Sequence, residues 1–316
     1  MDPEETAFLD SLGLSYTETI AKGGYGLIYL VHSNQYQSYF AMKKIPIKLF
    51  NEAEVACLKS FYDPNIVALY NYYKFDNYVY MVMEYCPSDL EKIMKQNRRF
   101  TNDELYKYSK DVVLAIKACH DKNIAHCDIK PSNFLLDKYG RLKIGDFGLS
   151  NFYDSNYDCS LFKGTIIYMA PEIFGKESYN PLSADIWAIG VTIYYMATRQ
   201  FPFLSLDVNE LRQKICSGKY DDSMIEDENL RKVIAACLEV NPCMRVRINE
   251  LLRMAYFLRE EENIPLTLNN GISRSHLNII KPKLQERRGS LHALPQIMKM
   301  SRLNLLSPEP KKELAN

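Results

Sequence analysis

The stretch AHCDIKPSNFLLDKYGRLKIGDFGLS, residues 125–150, places a few polar residues in an otherwise apolar run. An aspartate in a loop can accept a proton from a hydroxyl, and a lysine two positions later can neutralise a phosphoryl group in transfer. An asparagine five positions after the aspartate can offer its side-chain oxygen to Mg²⁺. Asp128, Lys130 and Asn133 meet these needs. The spacing therefore favours a phosphoryl-transfer loop over a solvated loop with a capping asparagine.

The second half of the same stretch predicts a metal site. A short strand pattern ends at Asp146, eighteen residues after Asp128, and Phe147 and Gly148 follow it. A carboxylate at this place is suited to hold Mg²⁺ between the phosphates of a nucleotide. Asp-Phe-Gly alone is a common turn, and its distance from Asp128 is what favours the metal site.

A glycine-rich turn and a strand lysine lie upstream. The turn, in IAKGGYGLIYLV (20–31), separates two strand-like runs and would let backbone N–H groups approach phosphates, although such a turn alone is more often a plain hairpin. Seventeen residues after Gly26, Lys43 lies in a strand pattern from which it would reach the phosphates. Glu54, on the helical segment that follows, is its natural ion-pair partner.

Composition limits the class of protein. The chain has 316 residues, nearly half of them apolar, which predicts a folded globular protein, and its 39 basic and 39 acidic residues give no reason to expect nucleic acid or a membrane as partner. Its eight cysteines form no C-x-x-C pair and lie in apolar or helical-looking segments, which indicates reduced thiols in the core. The acidic N-terminus lacks the order of a signal peptide, and the longest apolar run, 186–198, is too short to cross a bilayer. We expect a cytoplasmic location, with the nucleus as an open alternative.

The hydrophobic pattern predicts an α+β fold with two lobes. Residues 14–85 alternate strand-like runs with turns and carry one helical segment, which indicates a small antiparallel β lobe with one helix. Residues 86–260 hold long amphipathic segments, which predict a larger, mainly helical lobe. Residues 1–13 are set apart as an N-terminal segment. Residues 261–316 are basic and rich in Asn, Pro and Ser, and we predict that this tail is disordered.

The order of these motifs resembles that of the eukaryotic protein kinases. The resemblance covers about residues 14–258 and continues through GTIIYMAPE (164–172), DIWAIG (185–190) and NPCMR (241–245). It implies a bilobal kinase fold that binds ATP and Mg²⁺ in the cleft between the lobes. It also implies transfer of the γ-phosphoryl group of ATP to the hydroxyl of a protein substrate.

The resemblance assigns roles to particular residues. It makes Asp128 the catalytic base and Lys130 the phosphate-stabilising lysine, with Lys43 and Glu54 as the activating ion pair and Asn133 and Asp146 as the Mg²⁺ ligands. It implies that ATP is bound by Ala21, Gly23, Gly26, Ile28, Ala41, Lys43, Met83, Glu84, Cys86, Asp89 and Leu135. Within this set the backbones of Glu84 and Cys86 would bind adenine, Asp89 would reach the ribose, and Met83 would be the gatekeeper.

The resemblance further implies structural roles. Leu58, Leu69, His126 and Phe147 would stack as a regulatory column anchored by Asp185, and Glu172 would pair with Arg245 in the large lobe. Lys130, and Gly164-Thr165 in the activation segment where substrate binds, are similar to the serine/threonine-specific members. Serine and threonine acceptors are therefore favoured. The chain is loosely similar to the calcium/calmodulin-dependent and AMP-activated group.

Two positions depart from the family pattern. Ala21 replaces the first glycine of the loop, which would weaken the grip on phosphate slightly. Cys127 stands where the family commonly has an arginine that pairs with a phosphate on the activation segment. A thiol does not form this pair, so we predict activity that does not require phosphorylation of that segment.

Two alternatives to a protein kinase remain. A pseudokinase would keep the fold as a nucleotide-binding scaffold, but such proteins usually lack one of the residues at Lys43, Asp128, Asn133 and Asp146, all present here. A small-molecule kinase is disfavoured by GTIIYMAPE, which resembles a peptide-binding segment. In the tail, residues 293–306 have apolar residues at roughly helical spacing and would suit a regulatory or docking partner, the alternative being a disordered tail alone.

Overall fold

The structure is a computed structural model that describes residues 2–23, 26–96, 99–153, 164–175 and 177–259. Met1–Leu258 forms one compact unit. The predictions for the tail, namely disorder over 261–316 and a docking segment at 293–306, lie outside the described residues.

The N-terminal part of the first unit is a sheet flanked by helices. Its elements are α1 (Pro3–Ser11), β1 (Leu14–Gly23), β2 (Gly26–Ser33), β3 (Ser38–Pro46), α2 (Glu52–Ser60), β4 (Leu69–Phe75) and β5 (Tyr78–Glu84). The strands form one antiparallel sheet in the order β1-β2-β3-β5-β4. The small antiparallel lobe predicted from the sequence is confirmed.

Helix α2 follows β3 and presents one side to the interior. The Asn51 side chain caps its start by accepting a hydrogen bond from the Ala53 N–H at 3.1 Å, which satisfies a backbone donor that has no partner within the helix. Glu54, Val55 and Leu58 are buried on one side of the helix. A charged residue is thereby held in the interior.

Helix α1 is a feature that the hydrophobic pattern did not indicate. It lies in the segment that we set apart as residues 1–13, yet Leu9 is buried in a cluster with sheet residues such as Tyr29 and Tyr80. The Phe8 ring stacks on Phe75 of β4 with centroids 4.3 Å apart. The small lobe therefore carries this helix in addition to α2.

The C-terminal part of the unit is mainly helical, as predicted. Its elements are β6 (Ser88–Asp89), α3 (Leu90–Lys95), α4 (Asn102–His120), β7 (Ile124–Ala125), β8 (Phe134–Leu136), β9 (Leu142–Ile144), β10 (Asn151–Phe152), α5 (Pro181–Thr198), α6 (Val208–Ser217), α7 (Glu228–Cys237) and α8 (Ile248–Leu251). The short strands pair as β6-β8-β9 and as β10-β7.

The long helices build the core of this lobe. Helix α4 begins in a capping box in which Thr101 and Glu104 bond each other's backbone N–H groups. Helix α5 is buried along most of its length, and the Trp187 ring stacks on Phe203 with centroids 5.5 Å apart. Within the described residues, no helix is long and apolar enough to cross a membrane.

The described cysteines are free thiols in different surroundings. Cys57, Cys119 and Cys237 are buried, as expected for apolar side chains in a core. Cys216 and Cys243 are exposed, contrary to a uniform set of core thiols. Cys216 lies in the last turn of α6, and Cys243 lies in a turn that precedes α8.

Candidate active site

The loop between β7 and β8 gathers the polar residues that the sequence singled out. Lys130 Nζ lies 2.6 Å from Asp128 Oδ2, and the Asn133 amide donates to the same oxygen at 3.1 Å. Thr165 Oγ1 donates to Asp128 Oδ1 at 3.1 Å and accepts from Lys130 Nζ at 3.1 Å. One carboxylate is thus held by a cation, an amide and a hydroxyl.

Backbone contacts fix the orientation of Asn133. Its side-chain nitrogen also donates to the Asp128 carbonyl at 2.7 Å, which closes the loop on itself. With the nitrogen so committed, the side-chain oxygen is the atom that would take a metal ion. The prediction of Asn133 as a ligand therefore has a suitable geometry.

Lys43 lies between two carboxylates that come from different parts of the chain. Its Nζ is 2.6 Å from Glu54 Oε1 on α2 and 2.8 Å from Asp146 Oδ1, which follows β9. Glu54 is enclosed, whereas the Asp146 side chain is 45% exposed and opens onto the cleft. The structure thus brings together three residues that the sequence placed up to 103 positions apart.

Burial and charge act in opposite directions on these groups. Burial alone would lower the pKa of Lys43, but the Asp146 and Glu54 carboxylates outweigh it and raise the pKa above its ordinary value. Partial burial would raise the pKa of Asp146, but the Lys43 ammonium group lowers it below the ordinary range. Both therefore stay charged at neutral pH, as binding of a metal and phosphates requires.

Asp185 of α5 anchors the start of the loop between β7 and β8, residues 126–133, which we call the catalytic loop. Its two oxygens accept hydrogen bonds from the backbone N–H groups of His126 at 2.8 Å and Cys127 at 2.9 Å. His126 is fully buried and its ring meets the Phe147 ring edge-on, with centroids 5.1 Å apart. Its position is that of a core histidine, as the resemblance implied.

The predicted regulatory column is only partly traced by direct contacts. The Phe147 ring also lies 5.5 Å from Phe61, at the end of α2. Leu58 is buried on α2 and Leu69 is half-buried at the start of β4. The stacking of these two leucines stays a prediction.

A cavity of about 510 Å³ lies between the sheet and the catalytic loop. This volume is within the range of small-molecule sites. The predicted nucleotide-binding residues that line it are Ala21, Ile28, Ala41, Lys43, Met83, Glu84, Cys86, Asp89 and Leu135, and the predicted metal ligands Asn133 and Asp146 also line it. The cavity therefore joins an apolar compartment to a charged end.

Gly23 and Gly26 lie at the turn from β1 to β2. They face each other in the strand register, and the two residues between them lie outside the described part of the chain. Ala21 is paired with Ile28 in the same register. The register of β1 shifts between Thr19 and Ala21, so the methyl group in place of the first glycine lies directly after an irregularity in the strand.

Glu84 and Cys86 line the cavity beside each other. The Glu84 N–H donates to the Ala68 carbonyl at 2.9 Å. Burial raises the pKa of the Cys86 thiol to about 12, and the Glu84 carboxylate adds to this effect. The thiol that lines the cavity is therefore protonated at neutral pH.

Sequence reasoning missed an ion pair beside this cavity. Lys143 Nζ of β9 lies 3.2 Å from Glu84 Oε2, and its side chain is 7% exposed. The pair links the segment that leads to Asp146 with the end of β5. A lysine in the middle of an apolar strand pattern was the only local signal. Val67 and Ser132 also line the cavity and were not predicted to bind nucleotide.

The donor set suits a metal that is shared with phosphates. Within the described residues, no group of three or more His, Cys, Asp and Glu side chains would hold a metal ion by itself. Asp146 and Asn133 offer one carboxylate and one amide oxygen at the cavity. Mg²⁺ fits such a pair, because it commonly keeps water and takes substrate phosphates besides one or two protein ligands.

Arg245 and Glu172 form a bidentate pair beneath the site. Arg245 Nη1 and Nη2 lie 2.6 and 2.9 Å from the two Glu172 oxygens, and the arginine side chain is fully enclosed. The guanidinium also donates to the carbonyl groups of Ser183 and Glu239. The predicted pair thus joins the segment after Thr165 to α5 and to the end of α7.

Comparison with known proteins identifies similar sequences among the protein kinases. The protein kinase domain family matches residues 14–257. The chain is 30% identical over 275 residues to CBL-interacting serine/threonine-protein kinase 3 of Arabidopsis thaliana, covering 81% of this chain and 62% of that protein. It is 30% identical over 264 residues to sperm motility kinase 1 of Mus musculus, covering 79% of this chain and 54% of that protein. The chain thus spans little more than half the length of these relatives.

Proposed function

The chain belongs to the protein kinase family, and from this premise we propose that it transfers the γ-phosphoryl group of Mg·ATP to a serine or threonine of a protein substrate. One observation carries the proposal. The Asp128 carboxylate contacts Lys130, Asn133 and Thr165 at the charged end of a cavity that Lys43 and Asp146 also line.

Each residue has a task that its contacts suit. Asp128 would accept the proton of the substrate hydroxyl, and Lys130, held against it, would neutralise the phosphoryl group as it moves. Lys43 would hold the α- and β-phosphates, with Glu54 fixing its ammonium group. When bound, Mg²⁺ would supply charge neutralisation at the phosphates, and Asp146 and Asn133 would hold it.

The choice of serine and threonine acceptors rests on Lys130 and Thr165, residue types that are similar to those of serine/threonine-specific members at the same places. The Thr165 hydroxyl bridges Asp128 and Lys130, so the two residues lie together at the catalytic loop. The relatives that the chain matches include proteins named as serine/threonine-protein kinases. Both observations support this substrate class.

The decisive experiment measures transfer of labelled γ-phosphate from Mg·ATP to a generic Ser/Thr protein substrate. Asp128→Asn is expected to reduce transfer by a factor of about 10²–10⁴ while leaving nucleotide affinity within a fewfold of wild type. Asp121→Asn, a change of the same kind at an exposed carboxylate paired with Lys117, is the matched control and should transfer at the wild-type rate.

Other results would point elsewhere. Transfer that survives Asp128→Asn would contradict the assigned base. A wild type that binds Mg·ATP and transfers nothing, with several protein substrates, would favour a pseudokinase scaffold.

We also propose that activity does not require phosphorylation of the activation segment. The Cys127 side chain is a thiol, but its backbone N–H is held by Asp185 and its carbonyl lies against Gly164. Thr165 reaches Asp128 without a phosphate between them. These contacts support an activation segment whose end is docked by packing and hydrogen bonds.

The acceptors to test are Ser155, Tyr157 and Ser160, which lie outside the described residues. Alanine at all three positions is expected to leave most of the activity. Cys127→Arg is the informative partner variant, because it supplies the guanidinium that a phosphate would bind. A collapse of activity in the triple-alanine variant would contradict the proposal.

Location and regulation are further proposals. We propose a cytoplasmic location, supported by the free thiols of the described cysteines, and imaging of a fluorescent fusion would test it. We propose that residues 262–316 tune activity or recruit a regulatory partner. Deletion of these residues with no change in rate, binding partners or location would contradict this role.

A further inference from the structure

A polar contact joins helix α1 to the outer face of the sheet. Glu5 Oε1 lies 2.6 Å from Lys44 Nζ of β3 and accepts a 2.8 Å hydrogen bond from the Tyr80 hydroxyl of β5. Lys44 and Tyr80 are directly opposite each other in the β3–β5 register. A single carboxylate therefore holds both members of one cross-strand pair.

The surroundings of Glu5 make this contact hard to replace by water. The residue is 6% exposed, and the Lys44 ammonium group lies 4.2 Å from the centroid of the Tyr78 ring. Burial, together with the neighbouring Glu5 carboxylate, raises the pKa of Tyr29 to about 12. A cation enclosed among aromatic rings needs an anionic partner to stay in place. Without Glu5, Lys44 would have to move towards solvent.

Such a movement of Lys44 would also disturb its neighbour Lys43, which lines the cavity on the other face of β3. Successive residues of a strand point to opposite faces, so Lys44 faces α1 while Lys43 faces Glu54 and Asp146. Lys43 lies opposite Met81, the neighbour of Tyr80. The same two strand segments thus carry the outer contact and the inner ion pair. A disturbance of their register is transmitted directly from one face to the other.

We propose that Glu5 is a positioning residue, which acts through Lys44 to hold β3 in the register that places Lys43 between Glu54 and Asp146. The inference rests on the proposed phosphoryl-transfer function, in which Lys43 holds the nucleotide phosphates. Glu5 does not line the cavity; it contacts Lys44 and Tyr80 on the outer face, and its carboxylate also acts on Tyr29.

The test compares two truncations on the same helix. Glu5→Ala removes the carboxylate, and Leu9→Ala, at a position that is 1% exposed, removes only apolar packing. Both are expected to lower the unfolding temperature. Binding and kinetics are measured well below the unfolding temperatures of both variants. Under these conditions Glu5→Ala is expected to raise the dissociation constant for Mg·ATP about tenfold and to lower kcat/KM for ATP about tenfold. Leu9→Ala should leave both within twofold of wild type.

A third variant guards against loss of folding. Glu5→Gln keeps the shape and the oxygen that accepts from Tyr80 but removes the charge opposite Lys44, and it is expected to weaken Mg·ATP binding at least threefold. Wild-type nucleotide affinity in Glu5→Ala and Glu5→Gln would overturn the proposal. An equal loss in Leu9→Ala would also overturn it, since the effect would then be general loosening of the sheet.

The outcome is separable from that of the proposed function. A wild type that binds Mg·ATP but transfers no phosphate would refute phosphoryl transfer, while the dissociation constants would still decide the role of Glu5. If the wild type binds no nucleotide, the role of Glu5 is tested by amide hydrogen exchange in β3. Faster exchange there in Glu5→Ala than in Leu9→Ala supports the inference, and equal rates overturn it.

Discussion

Thr165 Oγ1 donates a hydrogen bond to Asp128 Oδ1 at 3.1 Å, so the end of the activation segment and the catalytic loop share one carboxylate. The same hydroxyl accepts from Lys130. A base that must take a proton from an incoming hydroxyl needs a fixed orientation, because misplacement by a fraction of an ångström slows the transfer.

Loss of the Thr165 hydroxyl should therefore act on turnover. Thr165→Val is expected to lower kcat about ten- to a hundredfold, the cost of one hydrogen bond to a charged group, with a smaller effect on KM for ATP. Thr165→Ser keeps the hydroxyl and should retain most of the activity. Steady-state kinetics separate the two parameters, and an effect confined to KM would contradict the assigned role.

The pair of Arg245 and Glu172 should govern stability. The arginine side chain is fully enclosed and bonds Glu172, Ser183 and Glu239, so Arg245→Met leaves a buried carboxylate without its cation. The expected loss of unfolding free energy is about 3–5 kcal/mol, measured by urea denaturation.

The exposed pair of Arg247 and Glu250 is the matched control. The Arg247 side chain is 83% exposed, so Arg247→Met removes a solvent-screened contact and should leave the urea midpoint near that of wild type. Equal losses of unfolding free energy in Arg245→Met and Arg247→Met would show that burial of the Arg245–Glu172 pair does not increase its contribution to stability.

The local part of the active site could be predicted from sequence, because its residues lie within one loop. Asp128, Lys130 and Asn133 fall within six positions, and a loop that short brings any such set together. Lys43 and Asp146 are far apart in the chain, and only the order of the motifs related them. Their contact requires β3 of the sheet to pack against the segment that follows β9.

The contacts that the sequence did not indicate are polar and long-range. Glu5 lies in an acidic segment whose pattern suggests a solvated surface, and its burial depends on Lys44 and Tyr80, the latter 75 positions away. Lys143 meets Glu84 in the same way, from the middle of an apolar strand. Neither partner is signalled by spacing, since each pair is formed by the packing of separate elements.

The Cys86 thiol offers a test of the cavity that does not depend on catalysis. With its pKa raised to about 12 by burial, its thiolate fraction at pH 8 is on the order of 10⁻⁴, whereas an ordinary thiol with a pKa near 8.5 would be about one-quarter ionised. We expect iodoacetamide to modify the exposed Cys216 and Cys243 at least ten times faster than Cys86, as followed by mass spectrometry. Mg·ATP should slow modification of Cys86 further, and faster labelling at Cys86 would contradict its enclosure.

Gly164 supports the activation segment in a way that no other residue type can. Its φ is +103°, and a Cβ there would lie 2.6 Å from the Cys127 carbonyl oxygen, so Gly164→Ala must displace the segment that carries Thr165. We expect kcat of the Gly164→Ala variant to fall at least tenfold, as measured by steady-state kinetics.

Gly140→Ala is the matched control, because Gly140 also has a positive φ, +76°, but a Cβ would meet nothing within 4 Å. That variant should cost about 1 kcal/mol of stability and leave kcat unchanged. Equal kinetic effects would show that backbone strain, and not contact with the catalytic loop, explains the loss.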